Sequence, residues 1–200
     1  AGHAAHDILL WGARGAGKSA LVKSTVAAVQ AEGGHLCLVE AACDELDRLP
    51  DLFALLARDA RPAIVFIDDM GFEQGDPQMR HIRSVLDGGI SARPGHVRLY
   101  VTANRRHIVP RNLEEQSSAI NPRDAVDDNL ALADRFGLSL GFHACTQDVW
   151  LEMVSGYAKK LGLSFDPQDA LTWATQRGAR SGRIAWHYAV ELAGRAGKKI

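Results

Sequence analysis

From Asp7 to about Phe142, short apolar runs alternate with stretches in which apolar residues recur at helical spacing. Uninterrupted apolar runs bounded by turn-forming residues read as buried strands, so the pattern predicts β-α units stacked around a parallel sheet. Five strands are expected: Ile8 to Trp11, Leu36 to Glu40, Ala63 to Asp68, Val97 to Thr102 and Leu138 to Phe142. Helices are expected near Lys18 to Glu32, Leu49 to Asp59, Pro77 to Leu86 and Pro122 to Arg135, and the polar stretch from Arg105 to Asn121, which carries Pro110, begins as a loop. Beyond Phe142 the spacing is purely helical: Gln147 to Leu161, Pro167 to Arg177 and Gly182 to Ala196, separated by Gly162, Asp166-Pro167 and Gly178. This organisation predicts an α/β domain over residues 1–144 and a small helical bundle over 145–200.

The junction of the first strand with the first helix carries the clearest chemistry. It reads Gly12-Ala13-Arg14-Gly15-Ala16-Gly17-Lys18-Ser19, followed by Ala20. Glycines at 12, 15 and 17 permit positive φ and let backbone N–H groups converge on phosphate oxygens. Lys18 supplies a point charge for the β- and γ-phosphates, Ser19 offers a hydroxyl to Mg²⁺, and the helix that follows turns its positive end toward the same anion. The chain is therefore expected to bind a nucleoside triphosphate.

Two strand ends extend that site. The third strand ends in Asp68-Asp69 after an apolar run, which places Asp68 to bind the Mg²⁺ held by Ser19. Asp69 is a candidate general base for the attacking water, one methylene shorter in reach than a Glu would be, and Glu73 is a nearby substitute. The fourth strand ends in Ala103-Asn104, whose amide can hold the attacking water against the γ-phosphate.

Composition changes this picture little. A hydrophobic content of 46% over 200 residues supports one substantial core and a small second unit, and a net charge of −1 demands neither a nucleic-acid nor a membrane partner. Cys37, Cys43 and Cys145 are widely spaced with no C-x-x-C pair, which predicts buried thiols rather than a zinc cluster or disulfide framework. No apolar run is long enough to span a bilayer, and no basic and apolar leader opens the chain, so the expected compartment is the cytoplasm. The chain starts at Ala1 without an initiator Met, shortly before the first strand, and a preceding segment is expected to have been removed.

A P-loop, an acid-terminated strand, an Asn-terminated strand and a helical lid, in that order, resemble the AAA+ ATPases across nearly the whole chain. Leu9-Leu10-Trp11-Gly12-Ala13-Arg14-Gly15, Leu86-Asp87-Gly88-Gly89, Thr102-Ala103-Asn104-Arg105-Arg106-His107 and Asp134-Arg135-Phe136-Gly137-Leu138 are similar to a bacterial AAA+ family of unassigned cellular role. The resemblance implies strand order 5-1-4-3-2, ATP rather than GTP as nucleotide, and homo-oligomeric assembly into a ring or arc. It also implies roles for two arginines. Arg135 stands where related proteins direct an arginine into the neighbouring subunit's site; a salt bridge to Asp134 or Asp128 is the plainer alternative. Arg183 matches the lid arginine that reaches the γ-phosphate within one subunit, with Arg180 as the competing choice.

Neighbouring functions fit less well. No Asn-Lys-x-Asp segment is present to read guanine, and Ala41 to Asp47 lacks the aromatic residue of protein-threading loops. A small-molecule kinase shares the P-loop and lid, but the acid and amide at the two strand ends favour hydrolysis. Arg105, Arg106, His107 and Arg111 form a basic cluster that could face DNA or a neighbouring subunit. The expected function is Mg²⁺-dependent ATP hydrolysis driving conformational change in an unknown protein or nucleic-acid client. A nucleotide-gated binding module with slow hydrolysis is the rival.

Overall fold

The computed structural model describes residues 5–71, 77–88, 93–104 and 134–200. Its strands are β1 (Ile8–Gly12), β2 (Cys37–Ala41), β3 (Ala63–Met70), β4 (Val97–Asn104) and β5 (Leu138–Phe142). They form one parallel five-stranded sheet in the order β2-β3-β4-β1-β5, which is the expected 5-1-4-3-2 order read from the other edge. Interior strand β3 is buried along Ala63 to Ile67, consistent with a strand covered on both faces, whereas edge strand β2 is only half-buried.

Helices α1 (Lys18–Ala31), α2 (Leu49–Leu56) and α3 (Pro77–Leu86) follow the first three strands. Helix α1 buries Val22 and Val26, one turn apart on one face. A 3₁₀ helix over Cys43–Arg48 precedes α2 and buries Leu46, in a stretch read from the sequence as connecting loop. Phe53 of α2 joins Leu9, Val65, Leu99 and Phe136 in the core. The helix expected over 122–135 lies outside the described residues except for Asp134 and Arg135, which form a turn.

By internal contacts the chain divides into two compact units, one made of Ala1–Gly12 with Lys18–Gly141 and the other of Ala13–Gly17 with Phe142–Ile200. In the second, α4 (Gln147–Lys160), α5 (Pro167–Gln176) and α6 (Gly182–Arg195) start at Thr146, Asp166 and Ser181, whose side chains accept backbone N–H bonds from Val149, Gln168 and Ile184. Their shared core centres on Tyr188, whose ring lies 5.4 Å from that of Trp173 and 6.4 Å from those of Trp150 and Phe165. Among the described residues, no helix is long and apolar enough to cross a membrane. Cys37, Cys43 and Cys145 form no disulfide and are half-buried rather than buried as expected.

Candidate functional site

The loop after β1 adopts the backbone its glycines were read to permit, with φ of 138° at Gly12, 75° at Gly15 and 97° at Gly17. Ala13 N–H donates to Phe142 O (2.9 Å) and Ala16 N–H to Ala13 O (3.3 Å), which fixes the curl of the loop. A methyl group on Gly17 would meet nothing within 4 Å. Arg14 and Ala20 are exposed, and Lys18 opens α1 almost fully buried at 7% exposure. Its ammonium donates to Gly12 O (3.0 Å) and Asn104 Oδ1 (3.5 Å).

Ser19, Asp68, Asp69 and Asn104 are joined by hydrogen bonds. Ser19 Oγ donates to Asp68 Oδ1 over 2.7 Å. The Asn104 amide nitrogen donates to Asp69 Oδ1, so one amide links the Lys18 ammonium to the second carboxylate. The strands that carry these residues run two positions further than expected, β3 to Met70 through a bulge in its ladder with β4, and β4 to Asn104, which pairs with Gly12 of β1. Pairing shifts between Ile67↔Val101 and Met70↔Ala103, which leaves Asp68 and Asp69 opposite the single residue Thr102. In an unbroken strand, consecutive side chains point to opposite faces; a bulge re-aims them. Here both carboxylates are exposed between buried Ile67 and Met70.

Thr102 was passed over in the sequence because a β-branched hydroxyl residue is an ordinary strand former. Its hydroxyl bonds to both members of the acidic pair. The 3₁₀ helix adds the Cys43 thiol, which donates to the Asp68 backbone carbonyl at 3.3 Å. Glu73, Arg105, Arg106, His107 and Arg111 lie outside the described residues.

The two arginines are placed differently. Arg135 Nε donates to Asp87 Oδ1 at 2.6 Å, while Asp128, one of the partners expected for it, lies outside the described residues. That pairing joins two of the motifs singled out in the sequence, 48 residues apart. Within the second unit, exposed Arg183 opens α6, and a methyl on Gly15 would lie 3.8 Å from its Cβ. Arg180 instead acts on Cys145, whose thiol is raised above its ordinary range by burial, with the arginine's charge opposing.

The donor set fits a nucleoside triphosphate and a hard divalent cation. The loop carries positive-φ glycines, the Lys18 ammonium follows it in the chain, and Ser19 and Asp68 set a hydroxyl and a carboxylate side by side.

A family model described as "Protein of unknown function (DUF815)" matches residues 1–196. No curated protein matches the chain. Among solved structures, the Thermotoga maritima RuvB Holliday junction branch migration motor is similar over 98% of this chain and 58% of its own, with 18% identity and a TM-score of 0.62. AMPPCP-bound DnaA from Aquifex aeolicus is similar over 95% of this chain and 55% of its own, with 11% identity and a TM-score of 0.57. The chain thus spans less than two thirds of the length of either protein. The fold it shares with them is that of the AAA+ P-loop ATPases.

Proposed function

Because the chain belongs to the family described as protein of unknown function (DUF815), a description that assigns no activity, we propose its function from the site: Mg²⁺-dependent binding and hydrolysis of ATP. In this reading residues 1–144 bind the nucleotide and 145–200 act as a helical lid. Copies of the chain assemble into a ring or arc, and hydrolysis changes the conformation of a protein or nucleic-acid client. The observation that carries the reading is the 2.7 Å hydrogen bond from Ser19 to Asp68, which joins the phosphate loop to the acid-terminated strand.

Ser19 and Asp68 are the residues that would hold Mg²⁺, and the bound ion would neutralise charge building on the phosphate oxygens. The N–H groups of residues 12–17 and the Lys18 ammonium bind the phosphates. Asp69, or Glu73, takes a proton from the attacking water, which Asn104 orients. Arg183 faces the γ-phosphate from the same chain, and Arg135 of a neighbouring copy leaves Asp87 to stabilise transferring charge in trans.

One observation favours a second reading, a nucleotide-gated assembly switch with slow hydrolysis. The Asp69 carboxylate, already on a short arm, accepts a hydrogen bond from the Asn104 amide, which occupies one oxygen of the proposed base.

Phosphate release measured across protein concentrations, beside direct ATP binding, tests these roles. Lys18→Ala should weaken ATP binding, whereas Asp69→Asn should keep binding and slow hydrolysis about 10²- to 10⁴-fold. Activity per subunit should rise with concentration, and Arg135→Ala should abolish that rise. A wild-type chain that binds no ATP refutes the proposal; a concentration-independent rate unchanged by Arg135→Ala refutes the role in trans. Slow hydrolysis combined with ATP-dependent assembly selects the switch.

A further inference from the structure

The bulge at the end of β3 sets two carboxylates against one residue of β4, and that residue is among the most enclosed polar groups described. Thr102 is 1% exposed. Its hydroxyl donates to Asp68 Oδ1 over 2.5 Å and accepts the Asp69 backbone N–H over 2.8 Å. A hydroxyl carries a single proton, so once that proton is committed to Asp68 only lone pairs remain for Asp69, and the two contacts lock each other's geometry.

Each contact acts on something the site needs. Asp68 Oδ1 receives Ser19 and Thr102 together, so Thr102 restrains the carboxylate at the place where it meets the phosphate loop. Asp69 has φ of 57° and is the only non-glycine with positive φ among the described residues. An L residue keeps that conformation when its surroundings hold it. The Thr102 oxygen holds the N–H of this residue, whose carboxylate is bonded to Asn104.

We propose that Thr102 is a positioning residue of the nucleotide site: its hydroxyl sets Asp68 for the divalent cation and fixes the left-handed turn that presents Asp69 to Asn104. This inference rests on the proposed function. It goes further in assigning the alignment of both carboxylates to one hydroxyl on a different strand.

The test is a magnesium titration of binding by a fluorescent N-methylanthraniloyl ATP, with metal-free binding measured in chelator and folding checked by thermal melting. Valine at 102 keeps the branched shape and removes the hydroxyl. Serine and cysteine both lack the methyl and differ only in oxygen against sulfur, so that pair isolates the hydrogen bonds even if Thr102→Val does not fold. We expect metal-free affinity within about twofold of wild type for all variants. The magnesium midpoint should rise about 10- to 100-fold for Thr102→Val and Thr102→Cys, and stay near wild type for Thr102→Ser.

A folded Thr102→Val with an unchanged midpoint, or equal midpoints for the serine and cysteine variants, overturns the inference alone. So does wild-type binding that does not depend on magnesium. Wild-type protein that binds no nucleotide with or without the metal overturns the proposed function, and this inference with it. A purely structural role for Thr102 would lower the melting temperature and leave the midpoint in place.

Discussion

Replacing Gly15 with alanine strains the phosphate loop in two ways that experiment can separate. Gly15 sits at φ of 75°, where a side chain costs about 1–2 kcal/mol. Its new methyl would also lie 3.1 Å from Ser181 Oγ and 3.3 Å from Ser181 Cβ. Non-bonded carbon atoms rest at about 3.5–4.0 Å, so Ser181 has to give way. It is poorly placed to do so: its hydroxyl caps α6 through the Ile184 N–H, and its carbonyl accepts the indole N–H of fully buried Trp150 at 3.2 Å. Overpacking of this kind costs about 1–3 kcal/mol. Gly17 is the control, because its φ of 97° carries a backbone cost while a methyl there meets nothing within 4 Å. In urea unfolding followed by tryptophan fluorescence, Gly15→Ala should lose about 2–5 kcal/mol and Gly17→Ala about 1–2 kcal/mol. Adding Ser181→Gly to Gly15→Ala should recover about 1–3 kcal/mol, since a glycine cap costs only a few tenths of that unit. A double variant no more stable than Gly15→Ala, or equal losses at 15 and 17, would refute the claim that Ser181 limits the loop.

Tyr188 makes a prediction in alkaline solution. Burial first, then the bond from its hydroxyl to Asp169 Oδ2 (2.8 Å), pushes its phenol well above the ordinary tyrosine range. Its contribution is therefore whole below about pH 10, where an unfolded tyrosine starts to ionise, and fades as pH rises further. Melts between about pH 8 and 11 should show Tyr188→Phe less stable by about 1–3 kcal/mol at the neutral end, with a shallower alkaline decline than wild type; parallel declines would sink the assignment. At the start of β1, Asp7 pairs with Arg93 through both oxygens (2.6 and 2.7 Å) and accepts the Leu99 N–H (2.8 Å), with side-chain exposures of 12% and 17% for the pair. Asp7→Ala should cost about 3–5 kcal/mol, and the Asp7→Ala/Arg93→Ala double variant should cost clearly less than the two single losses added. Strict additivity in chemical denaturation would contradict the pairing.

Much of the fold was legible because its signals are local. The apolar run of Ala63 to Ile67 marks a doubly covered strand, and glycines spaced around Lys18-Ser19 mark a phosphate loop, without reference to any distant residue. Boundaries were less legible. The apolar run stops at Ile67, so the sequence showed no reason for β3 to continue to Met70, and the continuation depends on pairing with β4 across a bulge. Likewise, nothing local in Ala41 to Asp47 announced a 3₁₀ turn that buries Leu46.

For the site, residue types came from the chain and their connections came from the fold. By itself the sequence determined the five strand segments, the phosphate loop with Lys18 and Ser19, and the acid and amide at two strand ends, since periodicity and backbone freedom are written within a few residues. Only the tertiary structure decided that Thr102 bridges Asp68 and Asp69 from 34 and 33 positions away, that Arg135 pairs with Asp87 across 48, and that Ser181 stands over Gly15. Such pairings depend on strand register and on which chain segments meet in space, and a one-residue slip in register would send every side chain to the other face of the sheet.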